Sequence, residues 1–161
     1  MYIPDTNFKA YLLGNTDINT NVDDEIQVSE AKDFTGSIFA SFKEISNLTG
    51  IEAFTNITGL YCGSNSLTSI DISANLALET LYCTGNSLTK IDVSKNTLLR
   101  AFYFSANQLT SIDLSNNKSL TTLDCSFNKL TSLTISNNTK LSDLNCSRNE
   151  IEKLDLSLIH I

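Results

Sequence analysis

The sequence repeats itself every 21 residues, and this period limits the possible folds more than any other feature. Asparagine recurs at that interval, at Asn65, Asn86, Asn107, Asn128 and Asn149. The residue five positions before each asparagine is apolar, and so is the residue two positions after it. A repeat this short cannot enclose a core alone, so successive copies must stack and share one. The period therefore predicts a solenoid.

Each copy follows the pattern L-x-x-L-x-[C/F]-x-x-N-x-L, which is that of leucine-rich repeats with Cys or Phe in the third apolar position. Within it, Leu60 and Cys62 flank Tyr61, and alternation at period two indicates a β-strand. Five such strands, 21 residues apart, can pair only in parallel. We therefore predict an α/β repeat solenoid with a parallel concave β-sheet, a short irregular or 3₁₀ convex side and a small helical N-terminal cap.

Two columns of asparagine have predicted structural roles. In the first column the carboxamide offers both a donor and an acceptor, which suits buried backbone groups where each coil turns inward. The second column lies in D-x-S-x-N, where short polar side chains close local turns. Its members are Asn75, Asn96, Asn117 and Asn138.

The segment before the first full repeat has an apolar residue at every third position. These residues are Ile45, Leu48, Ile51, Phe54, Ile57 and Leu60. The stretch from Ile45 to Phe54 resembles the 22-residue repeat of the internalin family of bacterial surface proteins. The resemblance implies a 3₁₀-like convex side for this first coil, and a secreted or cell-surface location.

The first coil of a solenoid exposes apolar interior and needs a cap, which we assign to residues 1–44. Residues 4–13 are predicted to form a helix, with Asp5 as its N-cap and Gly14 ending it. Its apolar residues at helical spacing are Phe8, Tyr11 and Leu12. The solenoid then extends over residues 45–155.

Residues 19–30 align with the 12-residue calcium loop of an EF-hand, with oxygen donors at positions 1, 3, 5 and 12. Asp24 stands at position 6, where the turn favours glycine. Internalin caps resemble truncated EF-hands that serve structure, so a metal-free loop is the alternative to a calcium site. If calcium binds, the ligands are the side chains of Asn19, Asn21, Asp23 and Glu30 and the backbone carbonyl of Glu25. No other cofactor is expected.

Four cysteines occupy the inward position of the strand pattern, at Cys62, Cys83, Cys125 and Cys146. We predict free thiols, because a buried cysteine behaves as a small apolar residue. Strands about 4.8 Å apart would allow a disulfide between neighbours, but the side chains point the same way. A zinc site is disfavoured, because no two cysteines are two to four residues apart.

The outward position of each strand forms the predicted binding column, at Tyr61, Tyr82, Tyr103, Asp124 and Asn145. Phe127 and Arg148, just past the strands, would extend it. Tyrosine offers large contact area and a hydroxyl at low entropic cost, as in many binding surfaces. We predict a non-catalytic recognition module for a protein or glycan partner. The alternatives are rings that only stack across strands, and a spacer segment of a larger surface protein.

Several functions are disfavoured by composition. The net charge is −7, and no basic stripe exists to bind nucleic acid. No apolar run approaches the roughly 20 residues of a membrane helix, so membrane insertion is not expected. The sole histidine is His160, and no phosphate-binding loop or nucleophile–base pair is recognisable, so we do not expect an enzyme.

Residues 156–161 are predicted to be a non-native tail. Ile159 stands where the repeat requires Asn, and Leu-Ser-Leu-Ile-His-Ile is also what a sequencing adapter encodes. The last strand would then lack a cap and expose a parallel edge, which predicts self-association. The first residues lack a secretory signal, so either the protein is cytosolic or its signal is absent from this sequence. The resemblance to internalins favours the second.

Overall fold

The computed structural model describes residues 1–152 and 154, and it is a solenoid built on one parallel sheet. The strands are β1 (Ser37–Phe39), β2 (Gly59–Tyr61), β3 (Thr80–Tyr82), β4 (Ala101–Tyr103), β5 (Thr122–Asp124) and β6 (Asp143–Asn145). Each strand pairs in parallel with the next one along the chain. The predicted parallel solenoid is confirmed. The proposed tail, 156–161, lies outside the described residues.

The sheet has one strand more than the repeat pattern predicts. Strand β1 lies within the range 1–44 assigned to the cap, and its Ile38 pairs with Leu60, 22 residues later. In this coil Ala40 replaces the cysteine, and Lys43 replaces the asparagine. The coil therefore has the geometry of a repeat without its most recognisable residues.

Alternation along each strand places the core on one side of the sheet. The middle residue of each of β1 to β5 is buried, as in Leu60 and Leu81. The inward cysteines that follow β2 and β3, Cys62 and Cys83, are buried as well. Removing these apolar side chains from water favours the folded coil stack. The side chains on either side of them lie on the opposite face.

The first asparagine column joins neighbouring coils. The Asn107 Nδ2 donates to the carbonyl oxygens of Cys83 (3.0 Å) and Phe104 (3.1 Å). Its Oδ1 accepts from the backbone N–H of Leu88 (3.0 Å). One carboxamide thus satisfies backbone groups in two coils, which confirms the predicted role.

The local turns predicted for D-x-S-x-N are present, but the asparagines of the second column are not the side chains that close them. Asn96 is fully buried, and its Nδ2 donates to the carbonyl oxygens of Ile72 (3.1 Å) and Asn75 (2.9 Å) in the preceding coil. The local turn is closed by Asp92, whose Oδ1 accepts from the Ser94 N–H (2.8 Å). The aspartate bonds within its own turn, and the inward asparagine bonds to the preceding coil.

The cap contains two helices, α1 (Thr6–Leu13) and α2 (Val28–Asp33). Asp5 caps α1 as predicted, because its Oδ1 accepts from the Asn7 and Phe8 N–H groups. Its Oδ2 accepts from the Ser46 N–H (2.8 Å), which ties the cap to the first coil.

The return side of the coils is short. A 3₁₀ helix, η1, covers Ile51–Ala53 in the first coil, as the resemblance to internalins implied. Within residues 1–152 and 154, no helix has the length and apolar character needed to cross a bilayer.

Candidate functional site

The outer sheet face is the side of strands β1 to β6 that points away from the core. Its central column is Phe39, Tyr61, Tyr82, Tyr103, Asp124 and Asn145. The register brings the five predicted residues into one line and adds Phe39 to them. The missed residue had a signal in the sequence, because Ile38-Phe39-Ala40 stands 22 residues before Leu60-Tyr61-Cys62.

The first four residues of this column form the aromatic row, Phe39, Tyr61, Tyr82 and Tyr103. Successive ring centroids are 4.8, 6.4 and 5.7 Å apart, with interplanar angles of 20°, 27° and 44°. The first two pairs of rings are therefore stacked and the third is tilted, and the three tyrosines are half-buried. Such cross-strand pairs stabilise the sheet by roughly 0.2–1 kcal/mol each.

The ring of Tyr82 packs against the backbone of Gly63. A Cβ atom at position 63 would lie 2.5 Å from the Tyr82 Cε1, which is too close for any side chain. Glycine at this position therefore lets the ring lean over the neighbouring coil.

The polar end of the column is held by serines. The Asp124 Oδ1 accepts from the N–H (3.0 Å) and Oγ (2.6 Å) of Ser126. The Asn145 Oδ1 accepts from the N–H (3.2 Å) and Oγ (2.8 Å) of Ser147. Both side chains are thus oriented before any partner arrives.

Phe127 and Arg148, the other two predicted residues, contact each other beside the strands. The Arg148 guanidinium carbon lies 4.9 Å from the Phe127 ring centroid, a cation–π contact. Both residues have left-handed backbone, with φ of 52° and 54°. Gly85, also left-handed, occupies the position equivalent to Phe127 two coils earlier. A non-glycine residue costs roughly 1–2 kcal/mol in this conformation.

The cap contributes to the other end of the outer sheet face. The Tyr11 Oη accepts from the Phe39 N–H (2.7 Å), and the Lys43 Nζ lies 5.9 Å from the Tyr11 ring centroid. Phe42 is 80% exposed, with φ of 57°. Phe42 was not predicted from the sequence, because Lys43 stands where the repeat has asparagine in this coil.

Hydrogen bonds within the protein occupy the carboxylates of the predicted calcium loop. The Glu30 Oε1 accepts from the N–H groups of Thr20 (2.8 Å) and Asn21 (3.3 Å), and its Oε2 accepts from that of Gln27 (2.9 Å). Burial raises the pKa of Glu30, but these hydrogen bonds outweigh it and lower the pKa below its ordinary value. Glu30 therefore stabilises the loop as a buried anion.

The other predicted ligands are only partly engaged, because the Asn19 Oδ1 is buried and has no hydrogen-bond partner among the described residues. The Asn19 Nδ2 donates to the carbonyl oxygen of Asp23 (2.9 Å), and the Asp23 Oδ1 accepts from the Glu25 N–H (2.9 Å). Across the described residues, no three His, Cys, Asp or Glu side chains are grouped to hold a metal. The predicted site has only two carboxylates, Asp23 and Glu30, together with amide and carbonyl oxygens, and calcium binding stays a prediction.

The four cysteines are free thiols, as predicted. Burial raises the pKa of Cys62 to about 12, and burial with the nearby Cys146 and Asp124 raises that of Cys125 to about 12. For Cys83, burial and the adjacent Cys62 raise the pKa well above 9.0. These thiols are protonated parts of the core.

No protein-family model and no curated protein matches the sequence. Among solved structures, the functional domain of InlJ from Listeria monocytogenes, described as including a cysteine ladder, is 32% identical over 96% of this chain, with a TM-score of 0.64. The Listeria monocytogenes internalins InlF and InlC2 match at 22% and 20% identity over 94% and 96% of this chain, with TM-scores of 0.82 and 0.60.

The chain spans 43% of the InlJ structure, 46% of InlF and 88% of InlC2. Together, the parallel coils and these neighbours define a leucine-rich repeat solenoid. More particularly, the chain is an internalin-like leucine-rich repeat protein.

Proposed function

We propose that the chain is a non-catalytic recognition module that binds a protein partner through the outer sheet face. The observation that carries the proposal is the aromatic row. Its rings lie in register on the face of the sheet opposite the core, and Phe39 is 62% exposed. Exposed aromatic side chains at a rigid surface are typical of interaction hot spots.

The geometry of the aromatic row favours a protein over a glycan. Sugar rings commonly stack on a flat aromatic face, but here neighbouring rings largely occupy each other's faces. The row combines the apolar ring of Phe39 with three half-buried tyrosines whose hydroxyls can hydrogen-bond, which suits the mixed apolar and polar surface of a protein.

The likeness to internalins supports a role at the cell surface or in secretion, and it favours recognition over catalysis. The buried thiols have raised pKa values, which disfavours them as nucleophiles. Ser126 and Ser147 are engaged in turns. A spacer would need no such aromatic row, so the spacer is the weaker alternative.

The test replaces Tyr61, Tyr82 and Tyr103 together with Ser and screens parent and variant against panels of extracellular proteins and glycans. The control variant replaces Leu76 and Leu98 with Ser, because these leucines are 56% and 50% exposed and lie outside the strands. We expect the parent and the control to bind a protein and the tyrosine variant to bind it at least about tenfold more weakly.

Melting curves must show that all three proteins are folded. If the parent binds glycans and no protein, the partner would be a glycan and the proposed protein partner would be rejected. A parent that binds nothing in either panel would support the spacer.

A further inference from the structure

The aromatic row ends at Tyr103, and the column becomes acidic on the next strand. Tyr82 neighbours Tyr103 on one side, with ring centroids 5.7 Å apart and the widest angle of the row, 44°. On the other side the register pairs Tyr103 with Asp124. The ring of Tyr103 therefore has an aromatic neighbour on one side and a carboxylate on the other.

Hydrogen bonds hold the carboxylate of Asp124 in place, but it forms no ion pair among the described residues. Ser126 provides both hydrogen bonds to its Oδ1. Within the described part of the chain, no donor bonds to its Oδ2 and no Lys or Arg nitrogen lies within 4 Å of it. Its charge is held next to Tyr103 without a cationic partner.

The strands of the outer sheet face carry charge of the same sign, and Arg148, a cation beside the last strands, packs on the Phe127 ring. The six strands contain two carboxylates, Asp124 and the exposed Asp143, and no Lys or Arg. The whole chain carries a net charge of −7. A cation placed at Tyr103 would be attracted both by the ring and by the carboxylate.

We propose that Tyr103 and Asp124 form a subsite for a positively charged side chain, Lys or Arg, of the protein partner. This inference rests on the proposed function, because it names the chemistry that the outer sheet face recognises. Arginine fits better than lysine, since its planar guanidinium can stack on the Tyr103 ring and donate to a carboxylate at once.

The probe is a capped Gly-Arg-Gly-Arg-Gly peptide, titrated at low salt into the ¹⁵N-labelled full chain and followed by NMR. A peptide with citrulline in place of arginine has nearly the same shape without the charge. We expect chemical-shift changes centred on Tyr103 and Asp124, and binding of the citrulline peptide that is about tenfold weaker.

Asp124→Asn tests the carboxylate without removing the turn. Asn145 already makes the same two hydrogen bonds to Ser147, so an asparagine is compatible with this position. The matched control is Asp113→Asn on the return side, where the Oδ1 accepts from the Ser115 N–H (2.9 Å). Both variants change the net charge equally.

The proposal predicts that Asp124→Asn weakens arginine-peptide binding about tenfold and that Asp113→Asn does not. Equal losses in the two variants, shifts centred elsewhere, equal binding of the citrulline peptide, or no binding by the parent would each overturn it. Failure of this subsite can be distinguished from failure of the proposed function. If the tyrosine variant loses a partner that Asp124→Asn still binds normally, the function stands and this subsite is rejected.

Discussion

Asn107 donates from its Nδ2 to the carbonyl oxygen of Cys83 in the preceding coil, at 3.0 Å. The same contact joins Asn86 to Cys62 and Asn128 to Phe104. Because these bonds connect equivalent positions of successive coils, they hold the columns of the outer sheet face in register. The asparagines thus stabilise the surface that we propose for binding.

Asn107→Ala should lower the free energy of unfolding by roughly 1–3 kcal/mol, since it leaves the buried Leu88 N–H without its partner. The carbonyl oxygens of Cys83 and Phe104 each lose one of two asparagine donors and keep those of Asn86 and Asn128. Urea unfolding measures the effect. Asn116→Ala is the control, because Asn116 is exposed. Similar losses in the two variants would contradict the role assigned to Asn107.

The 21-residue period was enough to predict the parallel sheet, the inward cysteines and the outward tyrosines. It failed at β1, where the spacing is 22 residues and Lys43 replaces the asparagine, so Phe39 and Phe42 were missed. Pattern alone also could not show that Ser126 and Ser147 orient Asp124 and Asn145. Such hydrogen bonds depend on the backbone path after each strand, which a column of residue types does not specify.

Glu30→Gln should lower the melting temperature at neutral pH, by an amount equivalent to roughly 1–3 kcal/mol, because it weakens charge-assisted hydrogen bonds to a buried group. The pKa of Glu30 is lower in the folded chain than the ordinary 4.5. Its ionised form therefore stabilises the fold above that pH, and the stabilisation is lost as the pH falls through the folded pKa. The melting difference between parent and variant should shrink as the pH falls below 4.5.

Glu25→Gln is the control for this experiment, since the Glu25 side chain is exposed. A difference between parent and Glu30→Gln that stayed constant with pH would show that the carboxylate does not titrate as described.

Melting in the presence of calcium is a separate test of the same loop. Because N–H groups occupy both oxygens of Glu30, we expect millimolar calcium to leave the melting temperature unchanged. A rise in melting temperature that Asp23→Asn abolishes would instead establish the calcium site predicted from the sequence.

The buried cysteines should resist alkylation in the folded protein. Since the pKa values of Cys62 and Cys125 are raised to about 12, iodoacetamide at pH 8 should leave them and Cys83 unmodified. After denaturation without reductant, mass spectrometry should find four modified thiols. Fewer than four would indicate a disulfide.

The central claim is that equivalent side chains lie over one another, with tyrosines outward and cysteines inward. NMR cross-relaxation between tyrosine ring protons tests it most directly, in a chain whose tyrosines alone are protonated. We expect cross-peaks from Tyr82 to both Tyr61 and Tyr103, whose ring centroids lie 6.4 and 5.7 Å away. Missing cross-peaks in a well-folded sample would contradict the claim.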